Sequence, residues 1–449
     1  MARTTLAHNL GALPEQHRRS HRGVLVRNRR AGLGSLLACT AVLAAVTTAC
    51  GSDSGTSADG KIELTIATFN QFGYEELLKE YEAAHPNIKV SERKTGQAAD
   101  HHKNLFTKMA AGSGLSDVEG VEEGYLSQVM TRAGQFNNLK EIGPNVDGRW
   151  LDWKTKSVTA KGGELIGYGT DIGPLAMCYR KDLLEAGGIP TDEAGIAATF
   201  ATWDSYFAAG KQYAEKTGKA WFDSAAQIFN PMHNQAELGY FDKDDKLVID
   251  SNGDKAIWGK VTAAVAQGQS AKLKAWTPEW ETGFRESAFA TKTCPAWLLG
   301  NIEKNSGPEH KGKWVVTGSF PDGGGNWGGS FLTVPKQSKH PKEAAELAAW
   351  LTAPEQQIKA FKAKNTFPSQ LEALDNPELT ESTNEYFGQQ VGKLYAEQAK
   401  KVDVAQYKGP KDGQIQDDIV GPALLSVEQG TNADEAWKKV VEDAQKATK

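Results

Sequence analysis

A two-domain α/β fold is what this 449-residue sequence predicts, and three observations carry the prediction. From Lys61 onward, segments with the two-residue apolar period of a strand alternate with segments of helical period. The first of them run strand, helix, strand, helix, strand, the pattern of a largely parallel twisted sheet. The roughly 400 residues after Ala49 exceed what one hydrophobic core usually supports, so two domains are expected.

The first 49 residues are composed differently. Arg22, Arg27, Arg29 and Arg30 form a basic run, and the apolar, small-residue stretch 31–46 follows it. That stretch is too short and alanine-rich for a stable membrane span and reads as a secretory signal. It ends in Val46-Thr-Thr-Ala-Cys50, after which residues 50–60 form a flexible polar tether rich in Gly and Ser. This junction resembles the lipobox of bacterial lipoproteins, with Thr47 where Leu or Val is usual. The resemblance implies cleavage before Cys50, diacylation of its thiol, and anchoring at the extracellular face of the cell membrane. Without residues 1–49, 44 basic side chains face 55 acidic ones, a formal charge of −11 that argues against a nucleic-acid partner. Cys178 and Cys294 remain, and an oxidising exterior makes them candidates to pair, although the sequence gives no Cα separation to decide it.

The elements follow in order. Ile62, Leu64 and Ile66 alternate as a first strand, and residues 74–85 carry Leu77, Leu78 and Tyr81 at helical spacing before Pro86. Ile88 and Val90 begin a second strand. Residues 103–112 are helical, with Leu105, Phe106 and Met109 on one face, and Gly112 and Gly114 end that helix before the strand at Asp117-Val118. Residues 165–179 mix strand and turn character. The middle section is rich in helix, most clearly at 203–216 and 255–267; strands return at 314–320 and 330–335, and a helix follows at 341–351. The C-terminal hundred residues are mainly helical and end in the amphipathic stretch 433–446.

Four stretches, in order, carry a family resemblance. Residues 106–118 read Phe-Thr-Lys-Met-Ala-Ala-Gly-Ser-Gly-Leu-Ser-Asp-Val. Gly169-Thr-Asp171-Ile-Gly-Pro174 leads into Cys178-Tyr-Arg-Lys-Asp-Leu-Leu-Glu-Ala-Gly-Gly188. Residues 284–297 end in Pro295-Ala-Trp297, with Phe289 and Thr291 where a small residue and Met are commoner. Trp327-Gly-Gly-Ser330 is followed by Val334-Pro-Lys336, a helix with Trp350 and Leu351, and Thr366-Phe-Pro-Ser369. Over residues 61–449 the chain resembles the extracellular solute-binding proteins (family 1) of carbohydrate ABC importers. The resemblance implies a bilobal periplasmic-binding-protein fold of type II, with two discontinuous α/β lobes joined by a hinge. Lobe one would comprise 61–171 and 319–352, and lobe two 174–316 and 355–449, with the ligand between them. It further implies a monomer that delivers its ligand to a membrane permease.

A sugar ring offers an apolar C–H face and a rim of hydroxyls, which an aromatic plate edged by carboxylates and amides matches. Among the 12 tryptophans, Trp297 and Trp327 are the first candidates, the latter freed by Gly325, Asn326, Gly328 and Gly329. Trp276 and Trp280 come next. Trp203, Trp258, Trp350 and Trp437 sit on apolar helix faces and read as core. Asp171 enters the crossover. Asn70, Gln71 and Phe72 follow the first strand and Glu122 and Glu123 the third, at the carboxyl ends that line a crevice in parallel sheets; one of the two glutamates should point inward. Gln97 and Asp100 read as solvated loop.

A secreted glycoside hydrolase would also need aromatics and paired carboxylates. No nucleophile elbow, phosphate loop or metal motif supports chemistry, and adjacent His101 and His102 read as a solvated pair, so no metal or cofactor is called for. The motifs look most like those of binders of β-linked oligosaccharides, particularly cello-oligosaccharides, with chito-oligosaccharide or N-acetylglucosamine binders as alternatives.

Overall fold

The computed structural model describes residues 60–402 and 406–449. The secretory segment and Cys50 lie outside the described residues, as does the tether apart from Gly60. Among the described residues eight strands form two sheets: β1 (Ile62–Phe69), β2 (Ile88–Thr95), β3 (Val118–Glu122), β4 (Gly167–Pro174), β5 (Met177–Arg180), β6 (Thr291–Thr293), β7 (Trp314–Thr317) and β8 (Asn326–Thr333). The larger sheet runs β2-β1-β3-β8-β4 and the smaller one β6-β5-β7.

The expected largely parallel sheet is parallel only where β1 lies between β2 and β3. β8 is antiparallel to both β3 and β4, because it returns from the second half of the chain and not through a strand-helix-strand unit. The smaller sheet is wholly antiparallel. Only Leu175 and Ala176 separate β4 in one sheet from β5 in the other, so the chain crosses there and crosses back between β7 and β8.

Local signals set the helices. Helix Trp203–Thr217 starts on a reciprocal cap, in which Thr202 Oγ1 accepts from the Ser205 amide at 3.1 Å and Ser205 Oγ from the Thr202 amide at 3.0 Å. It stops at Gly218, whose φ of 68° is the left-handed conformation that glycine adopts most cheaply. Helix Ala98–Ala111 begins earlier than its apolar spacing suggests, because His101 and His102 belong to it.

Those histidines are buried, which corrects their reading as a solvated pair. His101 Nε2 lies 2.8 Å from the Gly120 carbonyl. His102 Nδ1 lies 2.7 Å from the Ala98 carbonyl, and its Nε2 accepts the Glu122 amide at 3.0 Å. Burial pushes the His102 imidazole down to about 3, so it is neutral and ties the helix to β3. Among the described residues no cluster of potential ligands could hold a metal ion.

Each sheet has its own core. Leu64, Ile66, Tyr81, Val121, Phe331 and Leu347 belong to one cluster around the larger sheet. Tyr206, Trp221, Phe229, Val261 and Leu424 form a second, and Trp314, Phe367 and Tyr395 a third, both beside the smaller sheet. Trp203, Trp258 and Trp437 are buried in the second cluster, and Trp350 packs half-buried on the first. Cys178 on β5 and Cys294 just beyond β6 are disulfide-bonded, with Cα atoms 5.7 Å apart.

Candidate binding cleft

A cleft of about 610 Å³ opens between the carboxyl ends of β1 and β3, the crossing strands β4 and β8, and helices of the second and third cores. The turn after β1 begins with Asn70 at φ 47°, which brings Asn70, Gln71 and Phe72 onto one wall. Asn70 and Gln71 are exposed, whereas Phe72 is buried and stands edge-on to Phe69 at 5.0 Å.

Three tryptophans also line the cleft. Trp276 is 40% exposed with φ 69°, a left-handed conformation unfavourable for a bulky side chain. Its ring lies nearly parallel to that of Trp297, with centroids 6.0 Å apart and planes at 28°. Trp297 in turn meets Trp327 edge-to-face at 5.9 Å and donates from Nε1 to the Trp327 carbonyl at 3.0 Å. Trp327 is the second residue of strand β8 and is partly buried. Gly328 and Gly329 have φ of 80° and 115°, and irregular pairing of β4 with β8 accommodates them. A Cβ on Gly329 would sit 2.5 Å from the Asp171 carbonyl oxygen, so the floor of the cleft requires glycine there.

Trp280, expected in the cleft, is instead 0% exposed. It lies on the buried face of helix Pro278–Arg285, and its Nε1 donates to Asp223 Oδ2 at 2.8 Å, the atom that also pairs with buried Lys292 at 3.0 Å. Of the two glutamates, Glu122 lines the cleft. Its Oε2 caps helix Glu123–Met130 by accepting the Gly124 amide at 2.8 Å. Glu123 lies off the lining, accepting Asn326 Nδ2 at 2.6 Å and lying 3.9 Å from Lys408 Nζ, so Glu122 is the one of the two that points inward.

Burial dominates the electrostatics. It lifts the Glu122 carboxyl to about 7, against the pull of Lys408 and with a further push from Glu123. Asp171 is raised by burial too, opposed by Lys154 and by the Thr170 hydroxyl, which donates to it at 2.6 Å. Lys154 lies beneath the floor with Nζ 3.7 Å from the Phe331 ring centroid, and burial lowers its ammonium to about 8.

Sequence reasoning missed the polar end of the cleft. His233 and Asn234 arrive from helix Ala226–Asn234, Tyr240 from the loop after it, and Lys408, Asp412, Gln416 and Asp417 from the C-terminal segment. Burial lifts Asp412 to about 6 and raises Asp417. Gln416–Val420 form a π-turn inside an otherwise continuous helical run ending at Glu428. Pro422 has no N–H for the Asp418 carbonyl, and that was the one local sign of an irregularity. This segment also meets the helix beside Glu122. Tyr125 Oη donates to Asp417 at 2.5 Å, Ser127 Oγ donates to the Lys408 carbonyl, and a Cβ on Gly413 would reach the Gly124 carbonyl oxygen at 2.8 Å.

The lining combines flat tryptophan rings with carboxylates, amides and hydroxyls. Comparison with known proteins agrees with this chemistry. The profile of the bacterial extracellular solute-binding proteins matches residues 76–386. An arabinooligosaccharide-binding protein of Bacillus subtilis (strain 168) is 28% identical over 342 residues, covering 70% of this chain and 75% of the relative. A crystal structure described as an extracellular solute-binding protein of family 1 superposes with a TM-score of 0.78 at 48% identity, over 86% of this chain and 100% of that one. The galacto-N-biose/lacto-N-biose I-binding protein of a Bifidobacterium longum ABC transporter, solved with lacto-N-biose, has the same fold, with a TM-score of 0.71 at 22% identity over 87% and 98% of the two chains.

Proposed function

The chain belongs to the bacterial extracellular solute-binding proteins, and from that premise we propose that it captures a neutral oligosaccharide outside the cell and hands it to an ABC permease. It is a binding protein of a sugar importer and not an enzyme. The observation that carries the choice of ligand is that the rings of Trp276, Trp297 and Trp327 line one cleft together with Glu122, Asp171, Asn70 and Gln71. Rings take the C–H faces of sugar units while the polar groups take their hydroxyls.

The first ligand class is β-linked gluco-oligosaccharide, cellobiose and cellotriose, which the turn after β1, the crossover and the Pro295-Ala-Trp297 stretch suggest. A second class, arabino-oligosaccharides, is favoured by the relatives in Bacillus subtilis and Halalkalibacterium halodurans, both named for them. We place lobe one at 61–171 and 319–352 and lobe two at 174–316 and 355–449. Trp297 and Trp276 then belong to lobe two and Glu122 and Asn70 to lobe one, so a sugar held by both closes the hinge. Cys50 is proposed to carry the lipid that keeps this monomer beside its permease.

A thermal-shift panel of cello-, arabino-, chito- and malto-oligosaccharides tests the reading. A ligand at 100 times its Kd stabilises the folded state by about 2.7 kcal/mol, a shift readily measured. One series should raise the melting temperature and be recovered uncleaved. No shift with any series, or hydrolysis of one, contradicts it.

A further inference from the structure

The polar end of the cleft contains a histidine backed by a buried carboxylate. We propose that Asp254 fixes the tautomer of the neutral His233 ring so that its Nε2 is a lone-pair acceptor, selecting a ligand hydroxyl that donates. This rests on the oligosaccharide reading and adds to it a specificity-determining residue and a positioning residue behind it.

His233 is buried in the last turn of helix Ala226–Asn234 and lines the cleft. Its Nδ1 lies 2.7 Å from Asp254 Oδ1, and Asp254 is itself buried at the start of helix Asp254–Ala266. A bare Nδ1 would set its lone pair against those of the carboxylate, so in the neutral ring the proton sits on Nδ1 and Nε2 is left to accept. The ring cannot easily turn over. It stacks on Tyr240 with centroids 4.3 Å apart and planes at 17°, and Phe229 lies nearly parallel at 6.1 Å. Among the described residues Nε2 has no hydrogen-bond partner, although the cleft around it is otherwise well bonded. The second oxygen of Asp254 accepts Asn252 Nδ2 at 2.8 Å.

That last bond makes the inference testable by one substitution. In Asp254→Asn, the amide oxygen keeps the bond from Asn252 and the amide NH2 turns toward His233 Nδ1. The imidazole proton must then move to Nε2, which becomes a donor while the shape of the cleft is unchanged.

Imidazole ¹⁵N spectra of the ligand-free protein read the tautomer directly. Wild-type His233 should be protonated at Nδ1 and bare at Nε2, and Asp254→Asn should reverse this. The second arm titrates the best oligosaccharide of the panel and its singly deoxyfluorinated analogues, in which fluorine cannot donate. At one hydroxyl position the wild type should lose about tenfold or more in affinity on fluorination, the cost of a buried acceptor left unmade. That penalty should fall below about threefold in Asp254→Asn, because a donor at Nε2 no longer needs the lost proton. A wild-type ring protonated at Nε2 or at both nitrogens overturns the inference without any variant, as does the same fluorine penalty in both proteins. A wild type with the expected tautomer that binds no oligosaccharide overturns the function proposed above, and the hydroxyl-selecting role with it.

Discussion

Trp276 illustrates how single residues divide here between stability and binding. A bulky residue in the left-handed region is strained by on the order of 1 kcal/mol, while its ring, 40% exposed, still buries surface against Trp280 and Trp297. Trp276→Gly should therefore lower the melting temperature of the ligand-free protein by only about 2–5 °C, since relief of strain offsets part of the lost burial and added chain entropy. Sugar affinity should fall at least about tenfold with the ring removed. A melting temperature lowered by much more, with affinity kept, would make Trp276 a packing residue. Trp280, four residues on, is the packing residue of the pair, and composition alone could not separate the two. The following helix buries one ring, while the loop leaves the other in the cleft.

Glu122 makes a pH-dependent prediction at the same scale. Its folded pKa of about 7 lies above the ordinary carboxylate value, so the folded state holds a proton that the unfolded state releases. Its contribution to stability is thus most favourable at about pH 4.5 and below and is lost as pH rises through 7. Ligand hydroxyls need the ionised form as acceptor, so affinity should run the other way, weaker at pH 6 than at pH 8 by up to about tenfold. Glu122→Gln should flatten this part of both profiles, in melts and in titrations across that range. A wild-type affinity constant from pH 6 to 8 would show that the ligand does not use the Glu122 carboxylate.

Among elements, the contact of helix Glu123–Met130 with the 408–417 segment is the most consequential. Ser127 and Glu123 lie outside the cleft wall, yet one donates to the Lys408 carbonyl and the other links Lys408 to Asn326 at the crossing strands. Asn326 Oδ1 also accepts the Gly173 amide at 2.8 Å, which ties the same group to β4. The pair Ser127→Ala with Glu123→Gln should weaken binding about tenfold through faster dissociation, because under the proposed lobe division these contacts join the two lobes and closure on the ligand would make them. Stopped-flow dissociation rates check this, and an unchanged rate would show the contact to be incidental to closure. Helices with strong apolar spacing, such as Trp203–Thr217 and Pro341–Leu351, were legible in sequence because burial agrees with the local start signal, the Thr202 cap in one and Pro341 at the first position in the other. The start of helix Ala98–Ala111 was not, since its buried positions are the histidines His101 and His102, which no apolar pattern marks. The antiparallel entry of β8 was hidden for another reason: its partners β3 and β4 lie far away in sequence, and strand direction is set by the crossing.

At the scale of the whole molecule, the two-part α/β design could be read from chain length and alternation, and family motifs supplied the crossover. Half of the cleft could be read as well, because Asn70, Gln71 and Glu122 follow strands whose carboxyl ends must face it. The half built from His233, Asp412 and Asp417 could not, because those residues sit in helical segments and become neighbours only through tertiary packing. Anchoring belongs to this scale too. Cys50→Ser should move the protein from the membrane fraction to the medium with its sugar affinity intact, and retention on the membrane would contradict a lipid at that thiol.

The central claim is that an oligosaccharide lies against the tryptophan wall of this cleft. Calorimetric titration of wild type, Trp297→Ala and Trp327→Ala with cellotriose and an arabinotriose tests it most directly. At least one of the two sugars should bind the wild type with one-to-one stoichiometry. Its affinity should fall by about tenfold or more in Trp297→Ala and be abolished in Trp327→Ala, through loss of stacked area. Absence of binding by the wild type, or equal affinity in all three proteins, would contradict it.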